Sequence, residues 1–197
     1  MRRSRHRIKT NSASHVEGFT LIEMMITLAI IGICAAGAAI MVPNFLSQSR
    51  ADGAVAQALN TLRVARDRAI GERRNIELHF VTPNHIQIVR QEIVLAGPAV
   101  TTVVSDTYLE ADQKFLLFTG LGDTPDQFGV SSNPVAFATT PVMFTSEGTL
   151  VDSVGDVTNG TLFLGKTGDS SSARAITIFG TTALLRTWRW SKTQWVE

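Results

Sequence analysis

Cysteine is nearly missing from this sequence: Cys34 stands alone among 197 residues. No intrachain disulfide can form, and no Cys/Cys or Cys/His metal cluster can be assembled. A chain without disulfides is allowed in any redox compartment, so compartment is not read from this. Charge is also sparse, at 18% of residues, while hydrophobic residues make up 44%. That balance excludes a disordered acidic or basic tail protein. The length suits one domain, or one domain plus an attachment segment. Catalytic signatures are missing too. There is no phosphate-binding loop, no G-x-S-x-G and no H-E-x-x-H. His79 and His85 fall on or beside one expected hairpin, with no nucleophile or carboxylate pair at catalytic spacing. The chain is therefore expected not to be an enzyme and to need no cofactor. Asp123, Asp126, Asp152 and Asp156 form two loose pairs that could suggest calcium, but they read as ordinary turn residues, and no metal ligand is assigned.

What is present is concentrated at the start. The whole-chain charge of +1 hides an asymmetry. Arg2, Arg3, Arg5, Arg7 and Lys9 face Glu17 alone, while residues 19–197 hold 13 cations and 16 anions. A strongly basic nucleic-acid binder is not the default for the part that folds. After Gly18 comes FTLIEMMITLAIIGICAAGAAIMV, residues 19–42, in which Glu23 is the one ionisable side chain apart from Cys34. As a helix it would be roughly 36 Å long, enough to cross a hydrocarbon core of about 30 Å. A globular helix with no polar face would be unusual. The basic leader is expected to stay cytoplasmic by the positive-inside rule, with the rest of the chain across the membrane.

An ordinary secretory signal is the alternative, and Ala35–Ala39 could mimic its cleavage site. Its apolar run is usually shorter, however, and lacks an internal carboxylate. Glu23 needs an explanation, because a carboxylate in a membrane helix costs about 2.5–3.5 kcal/mol at the centre and less near an end. Two readings stand. In one it is held in the first helical turn by the positive end of the helix dipole. Alternatively it pairs with a cation from another subunit, such as the amine freed by cutting after Gly18.

The string Gly18-Phe19-Thr20-Leu21-Ile22-Glu23, followed by a long apolar stretch, resembles the class III signal of type IV pilins and type II secretion pseudopilins. The resemblance implies that a prepilin peptidase cuts between Gly18 and Phe19 and methylates the new N-terminus of Phe19. It implies that the helix holds the subunit in the inner membrane until it joins other pilin or pseudopilin subunits in a filament. It places the family's assembly glutamate at Glu23. The expected divisions are a removed leader at 1–18, a transmembrane helix at 19–42, an amphipathic helix at 43–74 and a β-rich head at 75–197.

Pro43 and Gly53 are expected to interrupt the helical run. Beyond them Val55, Leu59, Leu62, Arg66 and Ala69 keep helical spacing, with Ala51, Ala54, Ala58 and Ala65 widening the small apolar face. Six arginines between Arg50 and Arg74 read as the solvated face of a helix packed on a sheet. Gly71 to Asn75 reads as its end. From Ile76 the period becomes two, giving a hairpin around Thr82–His85 with His79 and Gln87 outward. Further strands are expected at Ile93–Leu95, Val100–Val104, Phe115–Thr119, Val142–Thr145, Gly160–Lys166, Arg174–Phe179 and Thr182–Trp190, with loops at Leu121–Pro141 and Thr167–Ala173. The fold class is α+β: a long N-terminal helix packed on a mostly antiparallel β head.

Phe144 to Gly148 resembles the Phe-x-x-x-Gly turn before the last strands of GspH/FimT-type minor pseudopilins. Residues 62–75 and Ala175–Ile178 are similar to the same family. That resemblance implies a minor pilin or pseudopilin of a type II secretion pseudopilus or type IV pilus, meeting secreted cargo or other subunits. It also brings an alternative, a filament-borne DNA receptor for natural transformation. The C-terminal run Leu185–Trp195 interleaves Arg186, Arg189 and Lys192 with Trp188, Trp190 and Trp195. Stacking rings beside cations suit a nucleic-acid backbone, so Arg186, Trp188, Arg189 and Lys192 are the candidate DNA contacts. The competing reading packs these tryptophans onto the core.

Overall fold

The structure is a computed structural model that describes residues 18–92, 100–110, 112–128 and 132–197. Residues 1–17 of the expected leader and the strand expected at Ile93–Leu95 lie outside the described residues. The chain divides into two compact units, Met1–Val42 and Pro43–Glu197. Helix α1 is Leu21–Glu72.

In the first unit every described side chain of the helix is exposed. Leu21–Ala39 has a mean hydropathy of 2.1 and is long and apolar enough to cross a membrane, by length and composition.

In the second unit, α1 changes character as the alanine spacing predicts. Ala54, Ala58, Leu62, Ala65 and Ala69 are wholly buried. They face one core cluster that includes Ile76, Leu78, Ile86 and Ile88 on one side and Leu162, Leu164, Ile176 and Ile178 on the other. Small residues on that stripe let the helix backbone approach the strands closely. Helix α1 continues through positions 43 and 53, so the expected interruption does not occur. A helical glycine costs only about 1 kcal/mol, which burial of the flanking alanine face outweighs. The helix ends where Arg73, not Gly71, takes the left-handed conformation, at φ 51°. There the Arg74 N–H donates back to the Ala69 carbonyl at 3.2 Å.

Eleven strands follow, all pairing antiparallel among the described residues. The hairpin is β1 (Ile76–Val81) and β2 (His85–Glu92), with His79 opposite Gln87. Next come β3 (Val100–Tyr108), β4 (Gln113–Phe115), β5 (Val135–Ala136), β6 (Val142–Phe144) and β7 (Leu150–Val151). The last four are β8 (Gly160–Lys166), β9 (Asp169–Phe179), β10 (Leu184–Trp190) and β11 (Trp195–Val196). One sheet has the order β3-β2-β1-β6-β7. The other has β11-β10-β9-β8-β4, with β5 also paired to β8. This is the α+β architecture that the hydropathy pattern predicts.

Several boundaries differ from expectation. The strand expected at Phe115–Thr119 begins at Gln113 and stops at Phe115, where Leu116 instead donates to the Phe163 carbonyl at 3.0 Å. The expected loop Leu121–Pro141 holds β5. The expected loop Thr167–Ala173 is a tight turn, because Gly168 at φ +82° lets Lys166 pair directly with Asp169. The last long strand starts at Leu184 rather than Thr182, after Ala183 at φ 51°. The short strands β7 and β11 were not expected.

The Phe144–Gly148 turn closes on itself. Gly148 N–H donates to the Thr145 carbonyl at 2.9 Å, and the Thr145 and Thr149 hydroxyls meet at 2.7 Å. Gly148 sits at φ +83°, and a Cβ there would lie 2.8 Å from Ile70 Cδ1 of α1. The positive φ favours glycine here, and any Cβ would also push the end of the Ile70 side chain aside. Gly148→Ala should cost about 1–3 kcal/mol of stability, measured as a lowered urea midpoint. An unchanged midpoint would mean that Gly148 does not hold the left-handed conformation.

Candidate functional site

The chemistry-bearing segment runs from Gly18 to Glu23. Gly18, Phe19 and Thr20 precede the helix in irregular backbone, and Phe19 is 78% exposed. The peptide bond between Gly18 and Phe19 therefore lies outside the helix. Thr20 caps the helix: its hydroxyl accepts the Glu23 N–H at 3.3 Å, and its carbonyl accepts the Met24 N–H at 3.2 Å. Thr20-x-x-Glu23 is the spacing of a capping box. Glu23 thus lies in the first turn, at the positive end of the helix dipole. Among the described residues no cation pairs with its carboxylate. The surrounding side chains, Leu21, Ile22, Met24 and Met25, are exposed and apolar.

The C-terminal run is organised around an aspartate that its own spacing does not reveal. Period two puts Arg186 and Trp188 on one face of β10, where both reach Asp126. Arg186 Nη1 donates to Asp126 Oδ1 at 2.8 Å, and Trp188 Nε1 donates to Oδ2 at 3.2 Å. The Thr177 hydroxyl donates to the same Oδ2 and accepts from Trp188 Nε1 at 3.0 Å. The Asp126 side chain is only 5% exposed. Arg186 also lies 5.3 Å from the centre of the Phe179 ring.

Trp188 and Trp195 are buried, and Trp195 Nε1 donates to the Gly122 carbonyl at 2.8 Å. Trp190 packs edge-on against Trp195 at 5.3 Å, and Phe163 lies 6.0 Å from Trp195. Arg189 and Lys192 are exposed. Of the four candidate DNA contacts, these two stand clear, while Arg186 and Trp188 are bonded inward.

The remaining groups serve loops and fastenings. Asp152 accepts three backbone N–H groups, from Val154, Gly155 and Asp156, at 2.9–3.0 Å. Burial pushes its carboxyl up, but those N–H groups outweigh it and hold it below the usual carboxylate range. Asp123 accepts the Thr124 N–H at 2.7 Å. Among the described residues no group of three His, Cys, Asp or Glu side chains could hold a metal ion. His79 meets Glu77 at 2.8 Å, and His85 lies 4.0 Å from Asp106.

Sequence reading missed Arg174, which is 3% exposed and donates through Nε to Asp52 of α1 at 2.7 Å. Arg174 and Asp52 are 122 residues apart, a separation that no local pattern signals.

Comparison with known proteins adds the following. Residues 14–39 match the family described as the prokaryotic N-terminal methylation motif. None of the curated proteins matches the chain significantly. Among solved structures, the type IV minor pilin FimU of Pseudomonas aeruginosa strain PAO1 is similar in two crystal forms. In one, identity is 18%, with 77% of this chain and 92% of that chain covered, at a TM-score of 0.43. In the other, identity is 17%, with 76% and 97% covered, at the same TM-score. At that score the fold assignment rests on the helix and strands themselves.

Asp126→Ala removes the acceptor shared by Arg186, Trp188 and Thr177. The loss should be about 2 kcal/mol, since partly buried donors are left without their acceptor. Urea unfolding followed by tryptophan fluorescence reads it, and a midpoint equal to the parent's would contradict the hub assignment.

Proposed function

We propose that this chain, which carries the N-terminal methylation motif of type IV pilin-family proteins, is a minor pilin or pseudopilin of the GspH/FimT kind. It is a structural subunit of a type II secretion pseudopilus or type IV pilus, and its work is assembly rather than catalysis. The observation that supports the reading is the N-terminal segment: a matched motif over residues 14–39, the Gly18–Phe19 bond outside the helix, and Glu23 in the first turn of an exposed apolar helix.

The mechanism follows from these groups. The basic leader stays on the cytoplasmic side and the helix lies in the inner membrane. Prepilin peptidase cuts after Gly18 and methylates the freed amine of Phe19. That amine remains a cation, and in lipid it is as costly alone as the Glu23 carboxylate. When a new subunit enters among like helices, the carboxylate of one neutralises the amine of the next. Pairing removes two penalties at once, which drives incorporation and sets the axial register. The β head then faces cargo or neighbouring subunits.

Glu23→Ala should leave membrane insertion and leader removal intact and strip the subunit from the filament fraction. Immunoblots of membrane and sheared-filament fractions read both outcomes. Normal incorporation of the variant would rule out charge pairing as the assembly step.

A further inference from the structure

Two turns wall one hollow beside the end of β10. In the first, the Gln127 N–H donates to the Thr124 carbonyl at 2.9 Å; in the second, the Ser191 N–H donates to the Gln194 carbonyl at 2.9 Å. Each turn holds a non-glycine residue in left-handed backbone, Gln127 at φ 56° and Lys192 at φ 76°, two of the four such residues among those described. That conformation persists only where its surroundings fix it. The first turn is pinned at both ends: Asp126 is bonded to Arg186, Trp188 and Thr177, and the Gly122 carbonyl accepts from Trp195 Nε1. The hollow has a volume of about 650 Å³, inside the usual range of about 300–1,000 Å³ for small-ligand sites.

Its lining is aromatic and nearly uncharged. Trp190 and Trp195 supply rings, and Trp190 is only half-buried. Gln127, Thr193 and Gln194 are exposed and supply two amides and a hydroxyl, groups that both donate and accept. Asp123 is the one ionisable side chain in the lining, and no cation contributes to it. Arg186 is bonded inward to Asp126, and strand alternation puts Arg189 on the opposite face of β10 from Trp190. A phosphate backbone needs cations. A fatty chain needs an enclosed apolar cavity. This hollow offers neither. A pyranose matches it: axial C–H groups form apolar faces that stack on an aromatic ring, and equatorial hydroxyls donate and accept as the amides do.

We propose that the hollow binds an uncharged pyranose with equatorial hydroxyls, such as a β-linked glucose or N-acetylglucosamine unit, stacked on Trp190 and hydrogen-bonded by Gln127 and Gln194. The fixed turns hold the backbone that carries those amides, which lowers the ordering cost of binding. The site uses nothing from the N-terminal helix and stands or falls independently of the filament reading.

The test uses the full chain in a zwitterionic detergent, which carries no sugar headgroup. Tryptophan fluorescence and saturation-transfer NMR follow titration with cellotriose, triacetylchitotriose and glucose. At least one trisaccharide should bind, with a dissociation constant that stays the same from low to high salt, unlike a phosphate contact. Gln127→Gly keeps the left-handed turn and removes one amide, and Gln194→Ala removes the other. Each should weaken binding severalfold, at a melting temperature no lower than the parent's. Trp190→Ala should weaken it about tenfold. Glucose bound as tightly as the trisaccharide would uphold the site and assign it to free sugars; weaker glucose binding would uphold it and assign it to glycan chains. No binding of any of the three sugars would overturn the proposal. So would sugar binding that survives both amide variants and Trp190→Ala, or oligothymidylate that binds through Trp190 more tightly than any sugar.

Discussion

A long apolar helix with one carboxylate near its start is the constraint on which everything else here turns. Among the described residues nothing in the first unit buries the side chains of Leu21–Ala39, whose apolar surface suits a cover of lipid or of other helices. Within such a cover Glu23 cannot stay ionised and alone without penalty. Thr20 and the helix dipole relieve part of that penalty by fixing the carboxylate in the first turn. In the proposed assembly, a cation from another subunit would relieve the rest, and a cut at Gly18 would create one close to where the carboxylate lies.

The second unit solves a different problem with the same helix. From Ala51 onward α1 trades bulk for closeness, so that a stripe of alanines meets both sheets in one core. Side-chain bonds then fasten what the stripe positions. Arg174 reaches Asp52 from β9, and the Ser47 hydroxyl donates to Asp169 at the start of the same strand. The Ser171 and Ser47 hydroxyls hold the Asp169 carboxyl below its usual range. By linkage, that contribution is present above the ordinary aspartate value and fades as pH falls through the lowered one. The head is thus bound to its helix by packing first and by a few polar ties at the margins.

How much of this could be read in advance depended on the range of the interactions. The segment Gly18–Glu23 is contiguous, so cap, turn and carboxylate are all visible in six letters. The hairpin at Ile76–Val81 and His85–Glu92 was legible because period two is local, and Gly160–Lys166 because a short apolar run lies between turn residues. The strands β5, β7 and β11 have two residues each, and their partners define them. Two residues cannot display a period. Asp126 read as a turn residue because its partners lie 51 to 62 positions away. For the same reason the tryptophans could be assigned neither to the core nor to a ligand until the loop carrying Asp126 and Gly122 was placed against them. Gly53 misled in the opposite direction, since its propensity is weak beside the burial on either side of it.

The most direct test of the central claim is the mass of the N-terminal peptide from the chain recovered in membrane and filament fractions of its own host. The account predicts a peptide that begins at Phe19 and carries one added methyl group on its amine. A peptide that retains residues N-terminal to Phe19, or one cut within Ala35–Ala39, would contradict it.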